Sequence, residues 1–257
     1  MDLSEAWSGL QAACGGLAVK SPAIATVFHD TLLDASPEQG LARLLGKVLC
    51  PAWLSAADLV AIAQAEFERS PAVIMAAMED LDAITGRNLE SGGVAWTWIG
   101  NRGFHVLIAH RVIHALWSAG SEETALAVKA SLASLGVDIH PAACFGQRIF
   151  LDHAIGLVVG ETAVIEDDVS IWHGVTLGST LMQSGDRHPK IRRGAIIGAG
   201  AIVLGNIEVG EGAIVASGSV VLRPVPPFSV VAGNPAAAKP GYRHPFGYPA
   251  SSHEEIT

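Results

Sequence analysis

Asp152-His153 and the run Asp186-Arg187-His188 are the residues of this chain best equipped for chemistry, with Asp138 and Glu161 as further carboxylates close by in sequence. A histidine is the default general base near neutral pH, above all where a carboxylate orients its other ring nitrogen. An arginine grips a carboxylate through its planar fork. Together the set could hold an amino acid, with a base for its hydroxyl, an arginine for its carboxylate and acids for its ammonium. Taken singly, each is also what a solvated corner would carry. The cluster is what argues for a site.

Other arrangements carry less. His110-Arg-Val-Ile-His114 has the i, i+4 spacing of a helical zinc site but lacks the glutamate of His-Glu-x-x-His, so packed helix histidines and no metal are expected. Histidines 140, 153, 173 and 188 offer no close pair for a three-histidine zinc site, and His173 reads as a surface corner. Gly198-Ala-Gly is too short for a phosphate loop.

The elements that must position these groups change character near residue 136. Residues 1–136 hold 18 Leu against 16 Val plus Ile, whereas residues 137–226 hold 6 against 23, a switch from helix formers to strand formers. In the first part Ser21-Pro22, Ser36-Pro37 and Ser70-Pro71 each offer a cap followed by proline at the first helical position, and Ser55 is another cap. A helix is predicted over Gly103–Trp117, and a last one from Ser121 to Gly136.

The second part repeats every six residues. Ile139, Phe145, Leu151, Leu157, Ala163, Val169 and Val175 form one series, and Ile191, Ile197, Val203, Val209, Val215 and Val221 another. All but Ala163 are large and apolar. A six-residue period is the signature of a parallel β-helix with three hexapeptides per triangular coil and small residues at the corners. Ten extra residues, placed within Thr180–Lys190, interrupt the series as a loop. The fold class is therefore α+β: an all-α N-terminal domain over 1–136, then a parallel β-helix of hexapeptide repeats over 137–240 with its loop at 180–190. Residues 241–257 are expected to form a flexible tail.

Composition narrows the function classes. The 25 acidic residues against 16 basic ones argue against a nucleic-acid partner. No run of ~18 apolar residues suggests a membrane span, and the first residues carry acids where a targeting peptide would carry bases. Cys14, Cys50 and Cys144, odd in number and scattered, read as free thiols in the cytoplasm. Only 16% of residues are charged, against ~25% in soluble domains, which fits burial in an oligomer.

Several runs resemble the serine O-acetyltransferases, a family of hexapeptide-repeat acyltransferases. They are Val137-Asp-Ile-His-Pro-Ala, Leu151-Asp-His-Ala, Val158-Val-Gly-Glu-Thr-Ala-Val-Ile, Gly185-Asp-Arg-His-Pro-Lys-Ile, Gly205-Asn-Ile-Glu-Val-Gly and Gly218-Ser-Val-Val-Leu. The likeness extends upstream through Gly103-Phe-His and spans roughly residues 20–240. It implies a left-handed β-helix and acetyl transfer from acetyl-CoA to the hydroxyl of L-serine, giving O-acetylserine for cysteine synthesis. By motif, His153 would be the general base, Asp138 would orient it, and His188 would lie beside the reacting hydroxyl. Asp152 and Glu161 would serve the substrate, Asp152 on its ammonium, with Arg187 on its carboxylate. Coenzyme A would lie along the coil by Gly178, Ser179, Thr180, Ala199 and Ser217, with Arg193 and Lys239 among the cations for its phosphates. The resemblance implies trimers with sites between neighbours, joined as dimers of trimers by the helical part.

The sequence departs from that pattern in places. Where the family has an aspartate that helps bind the ammonium, this chain has Asn88, in Arg87-Asn88-Leu89, which weakens the expected grip on serine and on cysteine as a feedback inhibitor. Leu177-Gly-Ser-Thr-Leu-Met182 lacks two glycines and a lysine of the family's loop entrance. The family's C-terminal isoleucine, which docks into O-acetylserine sulfhydrylase, is here the penultimate Ile256. The competing readings are an acetyltransferase acting on another hydroxyl acceptor such as homoserine, and a non-catalytic binding paralogue.

Overall fold

Ser21 and Ser70 each serve two helices at once. Ser21 closes the helix Leu3–Lys20 and opens Pro22–Phe28, while Ser70 closes Ala56–Arg69 and opens Pro71–Arg87. Their backbone N–H groups donate to Leu17 and Glu66 of the preceding helix, and the sharp junction leaves neither hydroxyl a capping bond, unlike the expectation. Ser36 and Ser55 do cap, each in a reciprocal box with the third residue on, Gln39 and Asp58. The structure, a computed structural model, describes residues 2–49, 53–88, 92–180, 182, 184–239 and 244–247. Cys50, Leu89, Leu181 and all of the tail but 244–247, Ile256 included, lie outside the described residues. None of the described helices is long and apolar enough to cross a membrane.

The helix Arg102–Ser118, capped by the Asn101 side chain, runs through the centre of the helical part and buries Phe104, Leu107, Ile108 and Val112. It also touches the first coil. A Cβ on Gly103 would stand 1.8 Å from the Leu151 carbonyl oxygen, so only glycine lets helix and strand meet there. His110 Nε2 bonds the Ala143 carbonyl at 3.0 Å and His114 Nδ1 that of Pro141 at 2.8 Å. Burial holds the His110 imidazole down at about 3, so it acts as a neutral packing group. Arg111 reaches buried Asp80 at 2.6 Å and the Gly146 carbonyl at 2.8 Å, and Asp80 accepts the Ile149 N–H at 2.9 Å. Among the described residues no cluster of three or more His, Cys, Asp or Glu is placed to hold a metal ion.

After Glu122–Ser131, a short 3-10 turn ends at Gly136 in the left-handed region, and the chain enters a left-handed parallel β-helix. Its first sheet stacks Asp138–Ile139, Val158–Val159, Thr176–Gly178, Ile202–Leu204 and Val220–Val221. The second stacks Cys144–Phe145, Val164–Ile165, Lys190–Ile191 and Glu208–Val209. The third stacks Phe150–Leu151, Ser170–Ile171, Ile196–Ile197, Ile214–Val215 and Val230–Ala232, then Ala237–Lys239 antiparallel at its edge.

Register corrects the expected coil lengths. Val158 lies opposite Thr176 and Ile202 opposite Val220, each pair three hexapeptides apart. Asp138 lies opposite Val158, which adds two to that spacing, and Thr176 opposite Ile202, which adds eight. The ten extra residues are therefore split, with two at the turn that carries His153 and eight in the loop before Lys190. Each hexapeptide has two inward positions, and the two-residue insertion moves the six-residue series from one to the other at Leu157. This shift accounts for the alanine at 163, since that second position also holds Ala143, Ala195, Ala201 and Ala213, all buried.

Candidate active site

The corner between the third and first sheets stacks four residues in line. The N–H groups of Asp152, Trp172 and Gly198 donate to the carbonyls of Ile171, Ile197 and Val215 at 2.9, 3.1 and 2.8 Å. The next residues, His153, His173, Ala199 and Ser217, therefore form a column along the coil axis. His153 adopts φ +57°, a left-handed turn made by the two inserted residues, which throws its ring outward. Its Nε2 lies 3.3 Å from the Asp152 carboxylate, and its ring stands edge-to-face with His173 at 5.7 Å between centroids.

A groove of about 820 Å³ runs beside this column. Asn88, Asp152, Trp172, Ile214 and Ser217 are among its lining residues, and Phe150 packs edge-on against Trp172 at 5.3 Å. From Phe150 to Val230 the floor crosses four strand spacings, about 19 Å at ~4.8 Å each. Lys239, opposite Val230, stands at its far end. Phe246 closes one side, under the Arg87 guanidinium.

The corner between the first and second sheets carries the rest. Arg187 meets Glu161 at 2.7 Å, and this bond holds the Glu161 carboxyl below the usual carboxylate range. Thr162 organises the loop: its hydroxyl oxygen accepts the N–H groups of Arg187 and His188 at 3.0 and 3.1 Å, and its own N–H donates to His188 Nδ1 at 3.1 Å. His188 therefore carries its proton on Nε2 as a donor. Burial, with Arg187 adding, holds its imidazole below the usual histidine range. Apart from its place in Gly160-Glu-Thr-Ala, nothing in the sequence signals Thr162. A Cβ on Gly160 would sit 2.0 Å from the His188 ring, so Gly160→Ala should expel that ring and lower turnover at least tenfold with little loss of thermal stability. Steady-state kinetics beside a melting curve would check this, and unchanged kcat would refute it. Gly178, Ser179 and Thr180 sit on this corner too, where the Gly205 N–H donates to the Gly178 carbonyl at 2.9 Å.

Two candidates remain. Asp138 opens the first sheet, its N–H bonded to the Leu157 carbonyl and its carboxylate paired with Lys129 at 2.8 Å. Arg193 lies on the third corner, 3.9 Å from Asp167 and Asp168 and away from the groove lining. Within one chain the first sheet holds the His153 and Arg187 corners roughly 15 Å apart at strand rise. A single copy thus sets the Asp152–His153 pair and the groove on one corner, and the Arg187–Glu161 pair with the His188 donor on another. The two meet only if copies pack corner to corner.

Known proteins share this fold. Residues 6–109 match the family model described as serine acetyltransferase, N-terminal, and residues 188–223 match bacterial transferase hexapeptide (six repeats). The serine acetyltransferase of Salmonella typhimurium is 43% identical over 248 residues, covering 95% of this chain and 91% of that protein. Soybean serine acetyltransferase complexed with serine superposes with a TM-score of 0.87 at 42% identity, over 92% of this chain and 98% of that one. Serine acetyltransferase of Brucella abortus in complex with coenzyme A gives 0.87 at 39% identity, over 93% and 95%.

Proposed function

The chain belongs to the serine acetyltransferase family, and on that premise we propose that it carries the acetyl group of acetyl-CoA to L-serine at a site shared between two copies. The product is O-acetyl-L-serine, for cysteine synthesis. The observation that carries this reading is the column of His153, His173, Ala199 and Ser217 beside the long groove, a base at one end of a channel of pantetheine length.

His153 takes the serine hydroxyl proton as the oxygen attacks the thioester carbonyl. The C–S bond then breaks, and the imidazolium returns the proton to the leaving thiolate of CoA. Asp138 supports that imidazolium, and Asp152 with Asn88 holds the ammonium. From the neighbouring copy, Arg187 binds the carboxylate and His188 donates its Nε2–H beside the reacting hydroxyl. Glu161 fixes the arginine. Gly178, Ser179 and Thr180 face the thioester from that copy, while Ala199, Ser217 and Lys239 line the CoA path. Arg193, tied to its acidic neighbours, reaches CoA only if the phosphates turn toward that corner.

Residues 137–240 form the catalytic unit of a trimer, and 1–136 join two trimers, supported by Val19 at 86% and Trp53 at 82% exposure on the helical surface. The cytoplasm is the compartment that Cys14 and Cys144, both free thiols, support. The docking of the C-terminal segment into a sulfhydrylase remains a separate proposal.

CoA release from acetyl-CoA with L-serine, with L-homoserine and with no acceptor tests the acceptor. Serine-dependent release is expected, and release with homoserine alone would make Asn88 the mark of a changed acceptor. Shared sites have their own signature. A one-to-one mixture of His153→Ala and Arg187→Ala chains, refolded together, should recover activity at about a quarter of its sites, whereas sites within one copy would recover none. Restoring charge with Asn88→Asp should lower the KM for serine roughly five-fold, since a charge-assisted bond is about twice as strong as a neutral one. It should also tighten inhibition by cysteine, which presents the same ammonium. An unchanged KM would place the ammonium elsewhere.

A further inference from the structure

Lys190 closes the loop that carries Arg187 and His188, and its ammonium is directed wholly at that loop and its footing. Nζ donates to the Thr162 carbonyl at 2.7 Å, to the His188 carbonyl at 3.0 Å and to the Asp186 carboxylate at 2.5 Å. We propose that Lys190 is a positioning residue for serine recognition: a three-armed tie that fixes the loop to the coil wall and so holds Arg187 and His188 in place for the substrate's carboxylate and hydroxyl. This rests on the reading of those two residues as part of the serine site.

The acceptors bracket Arg187. Asp186 precedes it, His188 follows it, and Thr162 belongs to the corner below, where its hydroxyl also accepts the Arg187 and His188 N–H groups. The loop thus meets the wall through one hydroxyl and one ammonium. It is eight residues longer than a plain turn, and among the described residues no strand lies between Gly178 and Lys190. Ordering such a segment costs backbone entropy that side-chain bonds must offset.

Lys190 itself needs none of these bonds to stay in place. Its backbone pairs with Val164 on one side and Glu208 on the other, its N–H donates to the Ile207 carbonyl at 2.9 Å, and Ile191 beside it is fully buried. The ammonium therefore reaches from a rigid wall toward a loop. An ion pair with half-exposed Asp186 would by itself contribute little. The two carbonyls make the difference, because the Lys190 side chain is only 17% exposed and its protons have little water to turn to. The geometry also asks for lysine. A tetrahedral ammonium aims three protons at three converging acceptors, whereas a planar guanidinium presents its donors as a fork.

The test compares the wild-type chain with Lys190→Met, which keeps the apolar stem, and Lys190→Arg, which keeps the charge. Amide hydrogen exchange over residues 185–188 should quicken at least tenfold in both, while exchange over 191–197 and the melting temperature hold. The KM for serine should rise about tenfold with the KM for acetyl-CoA kept within twofold, a split that general loosening of the coil would not give. Unchanged exchange over 185–188 in Lys190→Met would overturn the proposal. So would a wild-type KM for serine in that variant when Arg187→Ala raises it, and full recovery in Lys190→Arg would overturn the three-armed geometry. A serine KM untouched by Arg187→Ala would instead sink the reading of Arg187 as the carboxylate grip, and the exchange rates would still show whether Lys190 fixes the loop.

Discussion

Replacing His153 by alanine should leave a chain that folds, assembles and binds acetyl-CoA but acetylates serine about 10²–10⁴ times more slowly. The side chain is 59% exposed, so its loss opens no cavity. Its backbone sits at φ +57°, where asparagine is more comfortable than alanine, so His153→Asn separates chemistry from strain. Both variants should lose kcat alike while CoA affinity, read by calorimetry, holds within a few-fold. Turnover within tenfold of wild type in either would move the base elsewhere on the corner.

Asp80→Ala should be the most damaging single change to the fold, costing about 3–5 kcal/mol by leaving Arg111 charged, buried and without its carboxylate. It also takes the acceptor from the Ile149 N–H, at the start of a coil edge. Removing both charges in Asp80→Ala, Arg111→Leu should recover much of that loss, because two buried ions are exchanged for apolar contact. Urea unfolding of the double-mutant cycle decides this, and additive losses would show that the two side chains act separately. Burial raises Asp80 to about 6 although Arg111 pulls the other way. A carboxyl raised on folding holds its proton more tightly when folded. Its contribution is therefore complete below about pH 4 and is lost as pH rises toward 6, the reverse of an exposed salt-bridged aspartate. The stability gap between wild type and Asp80→Asn should accordingly narrow across that window.

The two architectures were legible because each writes its own period. Leucine-rich helices with Ser-Pro starts and a six-residue series of buried residues leave little else to build. What stayed hidden was phase. Counting by sixes runs through the two-residue insertion at His153 without a visible break, since Leu157, Val169 and Val175 are apolar in either column. Only the strand pairs Asp138–Val158, Cys144–Val164 and Phe150–Ser170 expose it. The candidate residues were readable as types and by resemblance. Their division between two corners was not, because a position on a triangular coil depends on every residue counted before it. Thr162 was invisible for a related reason, since it works through backbone amides of a loop 25 residues on.

The unequal coils also bear on how this chain finds a unique fold. A solenoid whose turns were all three plain hexapeptides would be nearly degenerate, because sliding one strand past its neighbour by a whole repeat would still bury valine on isoleucine. Here one turn exceeds that length by two and another by eight, so a slipped pairing must either stretch a short turn or bury part of a long one. The two irregularities act as keys that fit one alignment. Both keys are cut from the segments that carry His153, Arg187 and His188. Shortening either segment to regularise the wall would thus remove a candidate catalytic group and, with it, part of what tells the strands which partner is theirs.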